Sequence, residues 1–366
     1  MPTAKQYCRA THCLLSFRWV LLAAVWFLLA FPSASSACVP SDYSLDKTLQ
    51  KLKPDFPFIH PIRTEATLDV RHWPERTYST RGKYKLALDV FAPLKAASNK
   101  PLPGVILVHG GGWCAGSRTL MLPLAQQLAQ RGYVVAAVSY SLTAQAPYPA
   151  AIEDVQAALV YFRKNAANWG LDPKVIALAG ASSGGQIASL AALTLSKHNL
   201  DTVQAIINID GLSDFTTPLA LRYENDPARA STVAGQWLGG RYEEQPERWR
   251  AASPITHLTA AAPPMLFITG EAPRFSAGVE AMQAQLDLWH IANKREHFAK
   301  APHSFWLFDP WFTPTLMAID NFLRQQRGFN TALSPVTPEL SATALSAALS
   351  IPKTTPSPPL TPTTHK

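Results

Sequence analysis

The sequence predicts an α/β fold in which a mostly parallel central sheet is flanked by helices. Short continuous apolar runs, such as GVILVHGG from Gly104 and KVIALAG from Lys174, are typical of strands that are covered on both faces. Segments with apolar residues at helical spacing alternate with these runs along the chain. Because each parallel crossover needs a covering connection, this alternation indicates helices on both sides of one sheet.

The predicted elements follow one another in a regular order. The first strand, KYKLALDVFAP (83–93), alternates apolar and polar residues, as a half-buried strand does. The later predicted strands are GVILVHGG (104–111), YVVAAVSYSL (133–142), KVIALAG (174–180), VQAIINID (203–210), PPMLFITG (263–270) and REHFAKA (295–301). The predicted helices are LMLPLAQQLAQRG (120–132), 150–166, GGQIASLAALTLSKH (184–198), GVEAMQAQLDLWHIAN (278–293) and TPTLMAIDNFLRQQR (313–327). In the second helix, Ile152, Val155 and Leu159 form one apolar stripe.

The sequence predicts a single domain at 65–329. Three predicted segments flank this domain, and a fourth is inserted within it. Residues 1–37 combine a basic stretch, the apolar run WVLLAAVWFLLAF and small residues, which predicts a secretory signal peptide, with an uncleaved membrane anchor as the alternative. Residues 38–64 are rich in proline and polar groups and predict an irregular lead-in. The insertion 215–262 predicts a lid-like segment or substrate wall, and the Ser/Thr/Pro-rich tail 330–366 predicts disorder.

Composition and cysteine usage exclude several classes of function. The formal net charge is +8, but no basic run interleaved with aromatic residues suggests a nucleic-acid partner. Of the four cysteines, Cys38 and Cys114 remain after removal of the leader and can pair in an oxidising compartment. No Cys/His spacing predicts zinc, so we expect no metal. We expect export to the periplasm or the extracellular space, with membrane contact only through the leader or a lipid on Cys38.

The segment GASSG (180–184) predicts a nucleophilic serine. It matches the pattern G-x-S-x-G directly after a predicted strand and directly before a predicted helix, which is the context of a nucleophile elbow. The two glycines allow the strand and helix to approach closely, while Ser182 adopts a strained backbone. Ser182 is therefore the candidate nucleophile.

The segment HGGGW (109–113) predicts donors for a developing oxyanion. It follows the strand GVILV, so its backbone N–H groups are expected to point toward the nucleophile. We expect the donors to be the N–H groups of Gly111, Gly112 and Ser183. His109 precedes the serine in the chain and is expected to order this loop rather than to act as the base.

The segment APHSFWLFDPW (301–311) supplies the candidate general base, His303, after the last predicted strand. This position agrees with the chain order serine, acid, histidine. The other histidines considered, His257, His290 and His297, lie in the insertion, in a helix and inside a strand. They are better explained as structural or surface residues.

The acid partner of His303 is left open between several carboxylates. An aspartate is expected three residues after the strand PPMLFITG, but Pro273 stands there and cannot orient an imidazole. Glu271 is the favoured candidate, because its longer side chain can reach from the same loop. Glu280 opens the following helix, and Asp210 and Asp214 follow the preceding strand, so these remain alternatives.

The motifs HGGGW, YPAAIEDVQAALVYFRKNAANWGLDPKVIALAGASSGGQIA and APHSFWLFDPWF together resemble one superfamily. The chain looks like the α/β-hydrolases grouped with hormone-sensitive lipase and with bacterial feruloyl and acetyl-xylan esterases, from about Lys83 to Arg327. The resemblance implies an α/β-hydrolase fold with an inserted lid-like segment, serine-ester chemistry and no cofactor. The chain departs from the superfamily pattern at Pro273, so the acid partner of His303 is left open.

The resemblance implies a serine esterase that acts on small-molecule or polysaccharide-linked esters, such as acetyl or feruloyl esters of plant cell walls. Trp113 and Trp306 are the candidate substrate-binding residues, because aromatic rings stack on sugars or aryl groups, and Trp311 belongs to the same hypothesis. Two alternatives remain. One is a peptidase or amidase on the same fold, and the other is a catalytically silent binding protein that kept the fold.

Overall fold

A mixed eight-stranded sheet lies at the centre of the fold. The computed structural model describes residues 43–65, 68–94, 100–195 and 200–329. The predicted leader and the predicted disordered tail both lie outside the described residues. Within the described part of the chain, no helix is both long and apolar enough to span a membrane.

The strands are β1 (His60–Pro61), β2 (Val70–Arg81), β3 (Tyr84–Pro93), β4 (Leu102–Val108), β5 (Val134–Val138), β6 (Leu171–Ala181), β7 (Ala205–Ile209), β8 (Met265–Thr269), β9 (Asn293–His297) and β10 (Phe308–Asp309). The helices are α1 (Leu45–Leu52), α2 (Leu122–Gln130), α3 (Ala150–Lys164), α4 (Ala166–Trp169), α5 (Ser183–Leu193), α6 (Pro218–Glu224), α7 (Val233–Leu238), α8 (Pro246–Ala251), α9 (Val279–Leu288) and α10 (Phe312–Arg324). Single 3-10 turns occur at Arg118–Met121, Pro254–His257, Pro273–Ser276 and Phe305–Leu307.

The sheet has the strand order β2-β3-β5-β4-β6-β7-β8-β9. The first two pairings, β2 with β3 and β3 with β5, are antiparallel. All pairings from β5 through β4 to β9 are parallel. This topology confirms the predicted mostly parallel sheet, and it brings the carboxyl ends of β4, β6, β7 and β8 to the same edge.

Apolar residues cover both faces of the sheet, which explains the continuous apolar runs in the sequence. In β4, Val105 and Leu107 belong to the core on one face, and Ile106 and Val108 belong to the core on the other. All four side chains are fully buried. Helices α3, α5 and α9 pack on the second face with the helices of the insertion, whereas α2 and α10 cover the first.

The predicted irregular lead-in at 38–64 contains a regular helix, α1. The Ser44 side chain caps its N-terminus by accepting a hydrogen bond from the backbone N–H of Lys47. Leu45, Leu49 and Leu52 lie at helical spacing and pack against the first-face core. The proline and polar content of the whole segment therefore concealed a short capped helix, and the prediction of an irregular lead-in is corrected at these residues.

The edge strand β2 contains no apolar run and was not predicted from the sequence. Most of its side chains are exposed or half-buried, and its register against β3 shifts between Trp73 and Arg76, around Pro74. Proline and irregular pairing are typical of edge strands. The strand forms because it pairs with the apolar strand β3, which is a tertiary contact.

The insertion between β7 and β8 folds as three short helices, α6, α7 and α8, and a 3-10 turn. Trp237 and Trp249 from this segment are fully buried in the second-face core. The insertion is therefore packed onto the domain, and its movement as a lid stays a prediction.

Candidate active site

Ser182 lies at the sharp turn between β6 and α5. Its backbone has φ 55° and ψ −128°, a strained conformation for a residue with a side chain. The turn is held because the backbone N–H of Ser182 donates to the carbonyl of Ile209 at 2.8 Å, and the Ser182 carbonyl accepts from Gly185 at 2.9 Å. The geometry is that of a nucleophile elbow, with the serine half-exposed at the end of a buried strand.

The second glycine of the motif is required by the close approach of this turn to β4. A Cβ atom on Gly184 would lie 2.3 Å from the carbonyl oxygen of Val108 and 2.4 Å from that of His109. Backbone atoms cannot move away as a flexible side chain can. The pattern G-x-S-x-G therefore reports a physical contact between the elbow and the strand that precedes the HGGGW loop.

Ser182 and His303 are brought together from positions far apart in the sequence. The Ser182 Oγ and His303 Nε2 atoms lie 2.9 Å apart. On the other side of the ring, His303 Nδ1 lies 2.7 Å from Asp210 Oδ2. With Nδ1–H donating to the carboxylate, Nε2 is left to accept the serine proton, which is the arrangement of a Ser-His-Asp triad.

Asp210 directly follows β7 and is almost completely buried. Its second oxygen, Oδ1, accepts a hydrogen bond from the backbone N–H of Gly270 at 3.1 Å, at the end of the neighbouring strand β8. Its own N–H donates to the carbonyl of Ile268 at 2.7 Å. Both carboxylate oxygens therefore have donors, and the side chain is held rigidly toward His303.

Glu271, the acid favoured from the sequence, does not contact His303. Its side chain is exposed, and its Oε2 atom accepts a hydrogen bond from the backbone N–H of Lys300 at 2.7 Å. The assignment is corrected to Asp210. The physical reason is the position of β7, which lies next to β8 in the sheet. Asp210 at the end of β7 reaches His303, whereas Glu271 in the loop after β8 does not.

The two other carboxylates held open also have different partners. Asp214 Oδ1 accepts hydrogen bonds from the backbone N–H and the hydroxyl of Thr216, both at 2.7 Å, and so stabilises a local turn. Glu280 lies 2.6 Å from the Arg295 guanidinium on the surface. The sequence favoured Glu271 over Asp210, and the signal that could have selected Asp210 was its place directly after a buried strand, combined with the missing aspartate at Pro273.

Two aromatic rings fix the plane of the His303 imidazole. The ring of Phe275 stacks on it with centroids 3.4 Å apart and an interplanar angle of 10°. The ring of Trp306 contacts it edge-on, with centroids 5.1 Å apart. The imidazole therefore has little freedom to rotate away from Ser182. Phe275 was not identified from the sequence, since an aromatic in a loop has no distinctive pattern.

The HGGGW loop follows β4 and contributes to the same pocket as Ser182. Gly111 has φ +132°, and a Cβ on it would lie 2.0 Å from the Ala115 carbonyl oxygen, so a side chain is excluded there. Within the described residues, no group accepts a hydrogen bond from the backbone N–H of Gly111, Gly112 or Ser183. These three N–H groups are therefore the candidate donors to a ligand oxygen beside Ser182.

His109 is buried behind this loop and takes no part in the triad. Its Nδ1 atom lies 2.8 Å from the Gly110 carbonyl oxygen, and its ring stacks on Tyr140 with centroids 4.4 Å apart. Burial lowers the pKa of the His109 imidazole to about 4, so the ring is neutral at neutral pH. The residue orders the loop, in agreement with its predicted role.

The tryptophans predicted to bind substrate are packed against other protein groups. Trp113 is buried, donates its indole N–H to Gln186 Oε1 at 2.8 Å, and stacks on Trp237 with centroids 5.1 Å apart. Trp306 is buried against His303, and Trp311 packs among apolar side chains of the first-face core. Trp113 also lines the pocket beside Ser182, so its contact with substrate stays a prediction. Trp306 and Trp311 are not among the lining residues, and the stacking hypothesis is corrected for them, because their large apolar rings are buried in the core.

A pocket of about 590 Å³ opens in front of the triad. Its lining includes Ser182, His303 and the glycines Gly111 and Gly112 of the HGGGW loop, and its outer walls come from α1, the insertion and the 3-10 turn at Pro273–Ser276. The outer lining residues are Tyr43, Lys47, Thr48, Lys51, Leu52, Tyr223, Glu224, Asp226, Arg229, Thr232, Val233, Arg274 and Phe275. The described residues contain no group of three or more His, Cys, Asp or Glu that could hold a metal ion.

Cys114 lies directly after the HGGGW loop and is disulfide-bonded. It is the single cysteine among the residues that the structure describes, so its partner lies outside them. Cys38, the partner expected from the sequence, is also outside the described residues.

Comparisons with known proteins agree with this architecture. Residues 88–285 match the protein family BD-FAE. The chain is 28% identical over 265 residues to the esterase LipQ of Mycobacterium tuberculosis, covering 70% of this chain and 60% of LipQ. It is 31% identical over 248 residues to the esterase LipC of the same organism, covering 63% of this chain and 60% of LipC. The chain thus spans about three fifths of the length of these curated relatives.

A solved structure supports the fold. The crystal structure of esterase B from Lactobacillus rhamnosis superposes with a TM-score of 0.59, covering 76% of this chain and 91% of that protein. The two sequences are 20% identical, so this likeness concerns the fold alone.

Proposed function

Because the chain belongs to the BD-FAE family and has the α/β-hydrolase fold, we propose that it hydrolyses carboxylic esters with Ser182 as the nucleophile. The observation that carries the proposal is the hydrogen-bonded series Ser182, His303 and Asp210, with distances of 2.9 and 2.7 Å. The three N–H donors of the oxyanion hole, which no described residue engages, support it further. The named esterases among the relatives support the same reaction class.

The first half of the reaction forms an acyl-enzyme. Ser182 Oγ attacks the ester carbonyl carbon while His303 Nε2 takes the serine proton, and Asp210 stabilises the resulting imidazolium. The negative charge that develops on the carbonyl oxygen is bound by the backbone N–H groups of Gly111, Gly112 and Ser183. When the intermediate collapses, the bond to the alcohol oxygen breaks, and His303 returns its proton to the departing alcohol.

The second half regenerates the enzyme by the same steps with water in place of serine. His303 takes a proton from water, the hydroxide attacks the acyl carbon, and the oxyanion hole again binds the oxygen. Ser182 then leaves with the proton that His303 returns, and the carboxylic acid is released. The proposed chemistry requires no cofactor.

The proposed natural substrates are acetyl or feruloyl esters on plant cell-wall polysaccharide. The resemblance of the sequence motifs to feruloyl and acetyl-xylan esterases supports this class. The pocket volume of about 590 Å³ leaves room for an aryl acyl group or a sugar beside the triad. Release rates of acetate and ferulate from xylan, compared with rates on simple aryl esters, test this assignment.

The proposed location is the periplasm or the extracellular space. The predicted signal peptide at 1–37 supports export, and the disulfide at Cys114 supports maturation in an oxidising compartment. Mass spectrometry of the mature N-terminus tests cleavage after Ala37 and any lipid on Cys38. An intact N-terminus on the purified protein would contradict the cleaved form and favour a membrane anchor.

Labelling with a fluorophosphonate probe is the most direct test of the proposed function. We expect rapid labelling of the wild-type protein and none of Ser182→Ala, because only an activated serine reacts quickly. The variant should retain the wild-type melting temperature, since it loses one hydroxyl. Absence of labelling in the wild type would favour a catalytically silent binding protein. Faster hydrolysis of aryl amides than of matched esters would favour a peptidase or amidase.

A further inference from the structure

Arg274 lies in the wall of the pocket with a hydrogen-bond donor that the described residues do not use. Its guanidinium packs over the rings of Tyr223 and Phe275, at 4.8 and 4.4 Å from their centroids. Its Nε atom is buried, and no acceptor among the described residues lies within hydrogen-bond distance of it. Buried donors without acceptors are uncommon in folded proteins and often indicate a ligand or a functional role.

The nearest carboxylate only partly compensates the Arg274 charge. Glu224 Oε1 lies 3.6 Å from Arg274 Nη2, which is an ion pair without a hydrogen bond. Burial raises the pKa of the Glu224 carboxyl. The rings of Tyr223 and Phe275 contact the guanidinium, and its N–H edge is the side that can bind a planar anion.

Helix α1 adds two further cations to the same pocket. Lys47 and Lys51 are four residues apart, so they lie on one face of the helix, and both side chains are exposed and line the pocket. Arg229 also lines the pocket, but its charge is matched by Asp226 at 3.4 Å. Outside the triad, the described pocket lining thus has four basic side chains, from Lys47, Lys51, Arg229 and Arg274, and two acidic ones, from Glu224 and Asp226.

We propose that Arg274, together with Lys47 and Lys51, forms a carboxylate-binding subsite, so that the protein favours esters that carry a carboxylate away from the reacting carbonyl. A guanidinium edge matches a carboxylate in a bidentate geometry. O-acylated sugar acids are one substrate class with this chemistry. The inference rests on the proposed ester hydrolysis.

The test compares charged and neutral esters that share the same reacting group. For a carboxylate on the alcohol part, the pair is para-acetoxybenzoate and its methyl ester. For a carboxylate on the acyl part, the pair is para-nitrophenyl hemisuccinate and para-nitrophenyl valerate. In each pair the measured quantity is the ratio of kcat/KM for the charged ester to that for the neutral ester. The pair with the higher ratio identifies which part of the ester reaches the subsite.

Removing the cations should lower this ratio. In Arg274→Gln we expect a fall of roughly 10-fold, the size of a lost charge-assisted hydrogen bond. In Lys47→Met/Lys51→Met we expect roughly 2- to 5-fold, because exposed ion pairs contribute less. The double variant Lys83→Met/Lys85→Met loses the same charge at exposed positions outside the pocket, so it is the matched control and should keep the wild-type ratio. Added salt should lower the wild-type ratio.

A binding measurement separates the two proposals. In Ser182→Ala, calorimetry should detect binding of para-acetoxybenzoate, and adding Arg274→Gln should weaken it. If the wild-type protein hydrolyses neutral esters and all these variants keep its ratio of kcat/KM for charged to neutral esters, the subsite is overturned and ester hydrolysis stands. A protein that hydrolyses neither ester and resists fluorophosphonate would overturn both. If Arg274→Gln is misfolded, the ratio in Lys47→Met/Lys51→Met, compared with that in Lys83→Met/Lys85→Met, still tests the subsite.

Discussion

Replacing Asp210 with asparagine tests the central feature of the site. The asparagine side chain has the same shape, and its oxygen can still accept the hydrogen bond that Asp210 Oδ1 takes from Gly270 at 3.1 Å. The amide NH₂ then faces His303 Nδ1, where the carboxylate stood at 2.7 Å. Because an amide donates at that position, Nδ1 becomes the acceptor and the ring proton moves to Nε2.

The magnitude follows from this change of tautomer. With a proton on Nε2, His303 can no longer accept the Ser182 proton across their 2.9 Å contact, and no carboxylate stabilises the imidazolium. We expect kcat to fall roughly 10³- to 10⁴-fold, the loss that follows when a triad histidine is held in the wrong tautomer. This corresponds to about 4 to 5.5 kcal/mol of the activation free energy.

The assay is the steady-state hydrolysis of a short para-nitrophenyl ester, with circular dichroism to check that both variants are folded. Glu271→Gln is the matched control, since it makes the same change at an exposed carboxylate whose partner is the Lys300 backbone. We expect its kcat to stay within about 2-fold of wild type, as for surface substitutions away from a site. A large loss in Glu271→Gln with activity retained in Asp210→Asn would refute the assignment of the acid.

The remaining predictions concern the elbow, the loop and the histidine ring. Gly184→Ala should lower the free energy of unfolding by about 3 kcal/mol in urea titrations and reduce activity, because its Cβ meets the Val108 carbonyl oxygen at 2.3 Å. His109 is neutral when folded but protonates below its usual pKa of 6.5 when unfolded, so stability should fall as the pH drops from 6.5 to about 4. His109→Gln should remove up to roughly 3 kcal/mol of that pH dependence, measured by urea unfolding at pH 7.5 and pH 4.5; an unchanged slope would contradict the buried neutral ring. Phe275→Leu should lower kcat roughly 10-fold with little change in KM, because the ring that stacks at 3.4 Å on His303 is lost.

The elements with strong local patterns could be predicted from the sequence. The apolar runs of β4, β6 and β7 and the periodic helices α3 and α10 lie where the sequence predicts them, within a few residues at their ends. Strand β2 and helix α1 could not be predicted in this way. Strand β2 forms only because it pairs with β3. Helix α1 is a short helix of eight residues, capped by Ser44, within a polar segment.

The site divides in the same way. Ser182 stands in a motif whose spacing reflects a local backbone requirement. His303 was nominated from its place after the last predicted strand and from the chain order serine, acid, histidine. Asp210 has no motif of its own, and it could be chosen over Glu271 only when the positions of β7 and β8 at the sheet edge were known. Trp113 and Trp306 carry rings suited to stacking, but whether a ring faces a ligand or the core is a property of the packed structure.

The order of residues along the chain was sufficient to predict the mostly parallel sheet, because apolar runs alternate with segments of helical periodicity. Local motifs were sufficient to predict the strained turn at Ser182 and the glycine loop. Folding in three dimensions was needed to select the acid, to bury the tryptophans and to bring α1 and Arg274 into one pocket wall. These outcomes depend on distances between residues that are remote in sequence, and local backbone preferences carry no information about such distances.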